Sequence, residues 1–325
     1  MSKVNICLDI GGTKILGAIF NQEGEIVFRL KKKTKAKDGA QNVEDTIISV
    51  VNEMVAAYGI TLDDVDAISA GAPGVINQET GVVLFAPNLP WENYQIKRIL
   101  EERFQTPFFI GNDVNLGTLG EWKHGVAKGL QQVVGFFIGT GMGGGLILDG
   151  KLYTGYDCKG AEFGHMILNP EGPLCNCGQR GCLEAFSSKI GMADYIRQQI
   201  RRGRKTMMEE AVAEGVFKSK QMKAAYDEKD AVMLEAIDRS CLYLAIAAGN
   251  MVNTFSPEMV VFGGGVMEAL GDVFLEKILR KVDAYCLPSI RSTVRFERAE
   301  LNDDSILYGA LALIEEHKNR EGEIK

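Results

Sequence analysis

Apolar residues in this chain come in short runs broken by glycine. Runs at 4–10 and 15–20 flank Gly11-Gly12-Thr13, and residues 22–25 (QEGE) introduce a third. Tight polar or glycine-rich breaks between such runs predict three strands joined by turns. Residues 40–58 then place Val43, Ile47, Val50, Val51, Met54 and Val55 at helical spacing. A short strand at 67–70 ends at Gly71-Ala72-Pro73-Gly74. A helix is predicted at 94–104 and a strand at 107–110 running out into Gly111-Asn112-Asp113.

The same order of elements then recurs. FFIGTGMGGGLIL (136–148) follows the pattern of LDIGGTKILGAIF (8–20): strand, glycine-threonine turn, strand. A third apolar run, 260–262, ends in Gly263-Gly264-Gly265, as residue 70 ends in its own glycine turn. A helix at 271–285 and a strand at 293–297 follow. These parallels predict two related α/β halves facing each other, with glycine turns lining a shared cleft. The cysteine-rich segment and the helical stretch 189–255 read as insertions into the second half. Within that stretch, 229–255 reads as one long apolar helix, more simply core than interface at 242–251. An amphipathic helix at 307–317 closes the pattern.

The chain has 325 residues, 46% hydrophobic and 24% charged, which is enough for two ordinary domains. A formal net charge of −7 argues against a nucleic-acid surface. Lys31, Lys32 and Lys33 read as a solvated strand end. No apolar stretch reaches the roughly 20 residues of a membrane span. Neither a leader peptide nor a DNA-binding domain is expected ahead of the first strand. Cys7, Cys158, Cys241 and Cys286 are scattered, mostly in apolar segments, as suits reduced thiols in the cytoplasm.

Candidate chemistry is densest at 160–186, GAEFGHMILNPEGPLCNCGQRGCLEAF. His165, Cys175, Cys177 and Cys182 form a plausible Cys3His set for tetrahedral zinc. Unpaired thiols, or a disulfide with one cysteine to spare, are the alternatives. Glu162 and Glu184 bracket the set. The glycine turns offer convergent backbone N–H groups to an anion. In the first, Asp9 could hold Mg²⁺ through water, with Thr13 and Lys14 serving phosphate. An ordinary hairpin with a charged tip is the competing reading; the later turns at Thr140-Gly141 and 263–265 favour nucleotide. Gly139-x-Gly141-x-x-Gly144 matches a dinucleotide fingerprint, but a strand rather than a helix follows it. Asn112-Asp113 stands between a strand and a helix. Locally that reads first as a helix cap; with a cleft around it, Asp113 becomes a candidate base for a hydroxyl group.

DIGGTK (9–14), GAPG (71–74), PNLPW (87–91), NDVN (112–115), GTGMGGG (139–145), GAEFGH (160–165), CNCGQRGCLE (175–184) and GGG (263–265) together resemble the ROK family of sugar kinases, especially its bacterial glucokinases. The resemblance covers nearly the whole chain. It implies a two-domain actin-like ATPase (ribonuclease H-like) fold with a cleft between the domains. It divides the chain into 1–113 plus 302–321, and a larger domain, 114–301, carrying the zinc-binding insertion. It implies ATP-dependent phosphorylation of a hexose 6-hydroxyl, glucose first. Other sugars, N-acetylglucosamine and N-acetylmannosamine among them, are alternatives, as is a non-catalytic sugar sensor. Asp113 would be the base. Gly71, Asn88, Asn112, Glu162, His165 and Glu184 would bind sugar. Asp9, Gly11, Gly12, Thr13, Lys14, Thr140, Gly141, Gly264 and Gly265 would bind Mg-ATP. His165 would serve both zinc and sugar, and the molecule would be a homodimer. Two departures, Gly111 and Val114 around the Asn-Asp pair, could alter pocket shape. Polyphosphate-using relatives tend to lack the zinc cysteines, which favours ATP.

Overall fold

The structure, a computed structural model, describes residues 3–34, 36–215 and 217–323. The chain forms two compact units. Among the described residues, one runs to position 128, takes in 152–160 and resumes at 304; the other holds 129–151 and 161–303.

In the first unit, β1 (Val4–Ile10) pairs antiparallel with β2 (Lys14–Phe20), and β3 (Ile26–Lys33) continues the meander. After α1 (Ala40–Tyr58), β4 (Val65–Ala72) returns parallel to β1. Three short strands follow, β5 (Val75–Asn77), β6 (Val82–Phe85) and β7 (Glu92–Tyr94), paired in a small sheet of their own. Then come α2 (Ile96–Phe104), β8 (Phe108–Asn112), parallel to β4, and α3 (Asp113–Lys123). The large sheet has the order β3-β2-β1-β4-β8. Its sequence patterns follow from position. β1 lies in the centre and buries Ile6, Cys7, Leu8 and Ile10, giving the near-continuous apolar run of a strand covered on both faces. β3 lies at the edge, where half-buried and exposed positions alternate and the lysines stand on the rim.

The second unit repeats this plan. β9 (Val133–Ile138) and β10 (Met142–Leu148) form the hairpin, with β11 (Lys151–Leu152) beyond it. Seven helices follow: α4 (Leu183–Ser187), α5 (Lys189–Arg201), α6 (Glu209–Ala213), α7 (Ser219–Asp227), α8 (Ala231–Phe255), α9 (Gly265–Val282) and α10 (Pro288–Arg291). Two strands complete the sheet: β12 (Met259–Gly263), parallel to β9, and β13 (Arg295–Arg298), parallel to β12. The order β11-β10-β9-β12-β13 matches that of the first sheet strand for strand. Two α/β units of one topology give the actin-like, ribonuclease H-like architecture that the resemblance implied.

Several details differ from the expectations. The helix expected at 94–104 starts at Ile96, because 92–94 is a strand. The helix expected from 271 starts at Gly265; Leu270, at φ −134°, interrupts it and hides the first turn's periodicity. The long helix α8 is core: Leu244, Ala245, Ala247, Ala248 and Val252 are fully buried. The domain division also shifts. Residues 114–128 and 152–160, expected in the second domain, lie in the first unit, where α3 packs against the C-terminal helix (Ser305–Glu323). The two backbones touch: a Cβ on Gly120 would lie 2.1 Å from the Ser305 carbonyl oxygen, and one on Gly309 1.8 Å from that of Leu116. Ser305 Oγ donates to the buried Glu121 Oε1 at 2.8 Å, fastening the pair.

Candidate active site

In the first unit the candidates converge on the carboxyl edge of three parallel strands. Asp9 of β1 is in register with Gly71 of β4, and Gly71 with Gly111 of β8. At about 4.8 Å per strand, roughly 10 Å separates the Asp9 and Gly111 backbones. The next row carries Ile10, Ala72 and Asn112, and α3 then starts at Asp113. Ligands of open α/β sheets collect at this edge.

Two fixtures shape the edge. The turn 11–13 is closed by Gly11 N–H donating to the Lys14 carbonyl at 2.9 Å. The loop bearing Asn88 crosses it so closely that a Cβ on Gly12 would lie 2.6 Å from the Asn88 carbonyl oxygen. Asn112 is the second fixture. It is the N-cap of α3: its Oδ1 accepts from Val114 and Asn115 N–H, both at 3.0 Å, and its Nδ2 donates to the Gly74 carbonyl at 3.0 Å. An amide has four hydrogen-bonding positions, so at most one N–H remains for a ligand. The capping reading of the pair thus falls to Asn112. Asp113 is the first helical residue and holds its carboxylate against its neighbour, with Oδ1 accepting from Val114 N–H at 2.9 Å.

The second unit gathers the remaining candidates. The turn 139–141 is closed by Gly139 N–H donating to the Gly141 carbonyl at 2.9 Å, and Met142 continues as strand, which excludes the helix a dinucleotide fingerprint needs. Glu162 precedes and His165 ends a short 3₁₀ turn pinned to β10: a Cβ on Gly164 would lie 2.0 Å from the Met142 carbonyl oxygen. Glu162 is exposed. Glu184, in the first turn of α4, joins two features. Its Oε2 accepts from Met142 N–H at 3.0 Å, just past the glycine turn, and its Oε1 accepts from Cys175 Sγ at 3.4 Å. Gly264 caps α9 with φ +86°, and Gly265 opens the helix. The N-terminus of this 18-residue helix points N–H groups and the positive dipole end outward, a ready anion site. The sequence reading missed Lys189 and Ser219, whose polar tips lie 3.5 and 3.8 Å from where a Cβ on Gly265 would stand. A lysine at the start of α5, directly after Ser187-Ser188, was the available signal.

His165, Cys175, Cys177 and Cys182 come together. Their ligand atoms lie within 4.8 Å of one another. Cys177 and Cys182 Sγ are 3.7 Å apart, and Cys175 Sγ lies 3.8 Å from His165 Nδ1. A disulfide needs about 2.05 Å. Four ligands at zinc distances of about 2.3 Å, arranged tetrahedrally, would have edges of about 3.8 Å. The donor set therefore fits a closed tetrahedral ion and leaves His165 Nε2 unused by it. Burial pushes the Cys175 and Cys182 thiols up. At Cys177 burial also pushes upward, but the Gln179 N–H and the neighbouring thiols outweigh it, and the net shift is down.

A duplicated α/β unit with a glycine hairpin in each copy defines a protein of the actin-like ATPase class. The chain matches the ROK family model over residues 5–317. It belongs to the ROK family. It is 32% identical to a glucokinase of Halalkalibacterium halodurans over 96% of this chain and 95% of that protein. It is 29% identical to a xylose repressor of Caldicellulosiruptor bescii over 95% of this chain and 77% of the repressor. A ROK family glucokinase from Streptomyces griseus, solved with glucose and AMPPNP, superposes with a TM-score of 0.81 at 29% identity, covering 94% of this chain and 97% of that one. No helix among the described residues is long and apolar enough to cross a membrane.

Proposed function

We propose that the protein is an ATP-dependent hexose kinase that phosphorylates the 6-hydroxyl, with glucose as its first substrate. The observation that carries this reading is the register row Asp9, Gly71, Gly111, which sets the first glycine hairpin and Asp113 on one edge of the first sheet. Full-length similarity to a glucokinase supports it.

In this reading each unit contributes its own share. Asp113 accepts the proton of the sugar hydroxyl as its oxygen bonds to the γ-phosphorus. The bond from that phosphorus to the β,γ-bridging oxygen breaks, and ADP leaves. Positioning and charge stabilisation carry most of the rate in such transfers. Asn112, held by its own capping bonds, offers an N–H to a neighbouring hydroxyl. Gly71 and Asn88 line the same edge. Glu162, His165 through Nε2, and Glu184 bind further hydroxyls. Gly11, Gly12, Thr13 and Lys14 of the first turn, Thr140 and Gly141 of the second, and Gly264 and Gly265 at the start of α9 bind the nucleotide. Mg²⁺, when bound, neutralises phosphate charge, and Asp9 would hold it through water. Zinc would be held by His165, Cys175, Cys177 and Cys182, and would supply rigidity to the loop that leads into α4 and Glu184.

Release of ADP, measured in a coupled assay over glucose, mannose, fructose, allose, N-acetylglucosamine and N-acetylmannosamine, tests the reading. Turnover with glucose above the others is expected. Preference for an acetylated sugar would move the assignment to a hexosamine kinase. Sugar binding with no turnover would make the protein a sensor, the role the repressor relative suggests. A cytoplasmic homodimer completes the proposal, and light scattering reads the assembly.

A further inference from the structure

Gln78 lies in the turn between β5 and β6. Its backbone is fixed by Asn77, whose Oδ1 accepts from Glu79 N–H at 3.1 Å and Thr80 N–H at 3.0 Å, while Gly81 N–H donates to the Asn77 carbonyl at 2.8 Å. The small sheet bearing it packs on β8. The side chain extends across Gly111: a Cβ there would lie 2.9 Å from Gln78 Nε2. Gly111 immediately precedes Asn112-Asp113. Its missing side chain leaves room for the Gln78 amide and for Leu116, whose Cδ2 and Cγ would lie 3.0 and 3.1 Å from the same Cβ.

That amide nitrogen is buried and has no hydrogen-bond partner in the protein. A buried donor left without an acceptor costs more than an ordinary hydrogen bond returns. Such a donor, set against the residue that precedes Asn112-Asp113, is poised for an acceptor that arrives with the substrate. We propose that Gln78 is a specificity-determining residue that donates Nε2–H to a hydroxyl oxygen of the sugar near the one Asp113 deprotonates. This rests on the kinase reading above and deepens it. A site built to pair with a hydroxyl discriminates against an analogue that lacks it, because its own polar group is then left unpaired. Gly111 and Gln78 act as one device: a larger residue at 111 would occupy the space of the amide.

The test compares wild type with Gln78→Leu, which keeps the bulk over Gly111 and removes the donor, and with Gln78→Asn, which keeps the donor on a shorter arm. Calorimetry gives the dissociation constant for each sugar of the panel without needing turnover; steady-state kinetics and thermal melts accompany it. Expected for Gln78→Leu is a rise in Kd and KM for the preferred sugar on the order of 3- to 10-fold. The KM for ATP should be unchanged, and the preference over at least one competing sugar should narrow. Gln78→Asn should recover part of the loss. Unchanged sugar affinities and ratios, whether or not the melting temperature falls, overturn the proposal and reduce Gln78 to a cover for Gly111. Wild type that binds a sugar without phosphorylating it sinks the kinase reading, while the calorimetric comparison still decides Gln78. Wild type that binds none of the sugars overturns both.

Discussion

The two glycine hairpins occupy equivalent places in equivalent sheets, yet they are held differently. In the first unit, the turn 11–13 is overlain by main chain, the Asn88 carbonyl. In the second, the turn 139–141 is overlain by a side chain: a Cβ on Gly141 would lie 2.7 Å from Glu184 Oε2. Backbone against backbone is a fixed contact. A carboxylate that also reaches Cys175 is an adjustable one, and its position depends on the loop that carries the cysteines. One topology therefore hosts a rigid edge bearing the candidate base and a second edge whose shape is tied to a metal-ligand loop. If this contrast is right, substitutions at the first glycine turn and at Asp113 should act on stability or on the chemical step, and those around the cysteines on sugar binding.

The largest effect is expected at Asp113. Asp113→Asn keeps an oxygen for Val114 N–H, so α3 should start as before, but it cannot take a proton. We expect kcat to fall about 10²–10⁴-fold, the usual worth of a general base, with sugar affinity within about 3-fold of wild type. Calorimetry and turnover, run on one preparation, check the split. A variant retaining most of its kcat would move the chemistry away from the first unit and end the comparison.

Next in size is the metal loop. Cys177 is the exposed member of the set, so Cys177→Ser removes a ligand with little disturbance to packing. Bound zinc, read by elemental analysis, should fall from near one per chain. Activity at low sugar concentration should fall about 10–100-fold through a rise in sugar KM, comparable to the loss of activity when a metal site's supporting groups are removed. The KM for ATP should move less. Sugar binding equal to wild type in zinc-free protein would show that the loop holds its shape without the ion.

Much of this was legible in the residues, for physical reasons that differ by region. The α1 stripe could be read because burial imposes a period of 3.6 on its apolar positions, and the β1–β2 hairpin because strands covered on both faces read as apolar runs on either side of a glycine turn. The Cys-x-Cys spacing with His165 could be read because metal ligands must be particular residue types. The strands β5, β6 and β7 were not legible: β5 and β7 are three residues each, too short to show alternation. That gap hid Gln78, whose approach to Gly111 depends on a small sheet no pattern announced. The placement of α3 was hidden likewise. Its apolar moment is weak because it is buried nearly all round, and the contact that assigns it, Gly120 against Ser305 and Gly309 against Leu116, joins residues far apart in sequence. The role of Glu184 was half legible. The residue could be picked out beside the cysteines, but its bond to Met142 N–H needed the fold.

The smallest effects are the sharpest test of the contrast between the two turns. Gly12→Ala puts a methyl group 2.6 Å from a main-chain oxygen. Neither the β1–β2 turn nor the Asn88 loop can yield without moving backbone, so the variant should lose about 1–3 kcal/mol, as overpacked sites do. Gly141→Ala puts its methyl 2.7 Å from the end of a rotatable side chain. Glu184 can swing aside, so the melting temperature should fall less than in Gly12→Ala. Swinging aside, however, gives up the bond to Met142 N–H, and one such bond is worth about 0.5–1.5 kcal/mol. The cost should therefore surface as a rise of about 2- to 10-fold in KM for ATP or sugar. Thermal melts and steady-state kinetics on both variants give a crossed pattern if the first turn is clamped by main chain and the second by a movable carboxylate. Equal melting losses with unchanged KM values in Gly141→Ala would mean that Glu184 is as fixed as Asn88, and the distinction between the two units would fail at the point where it is drawn most finely.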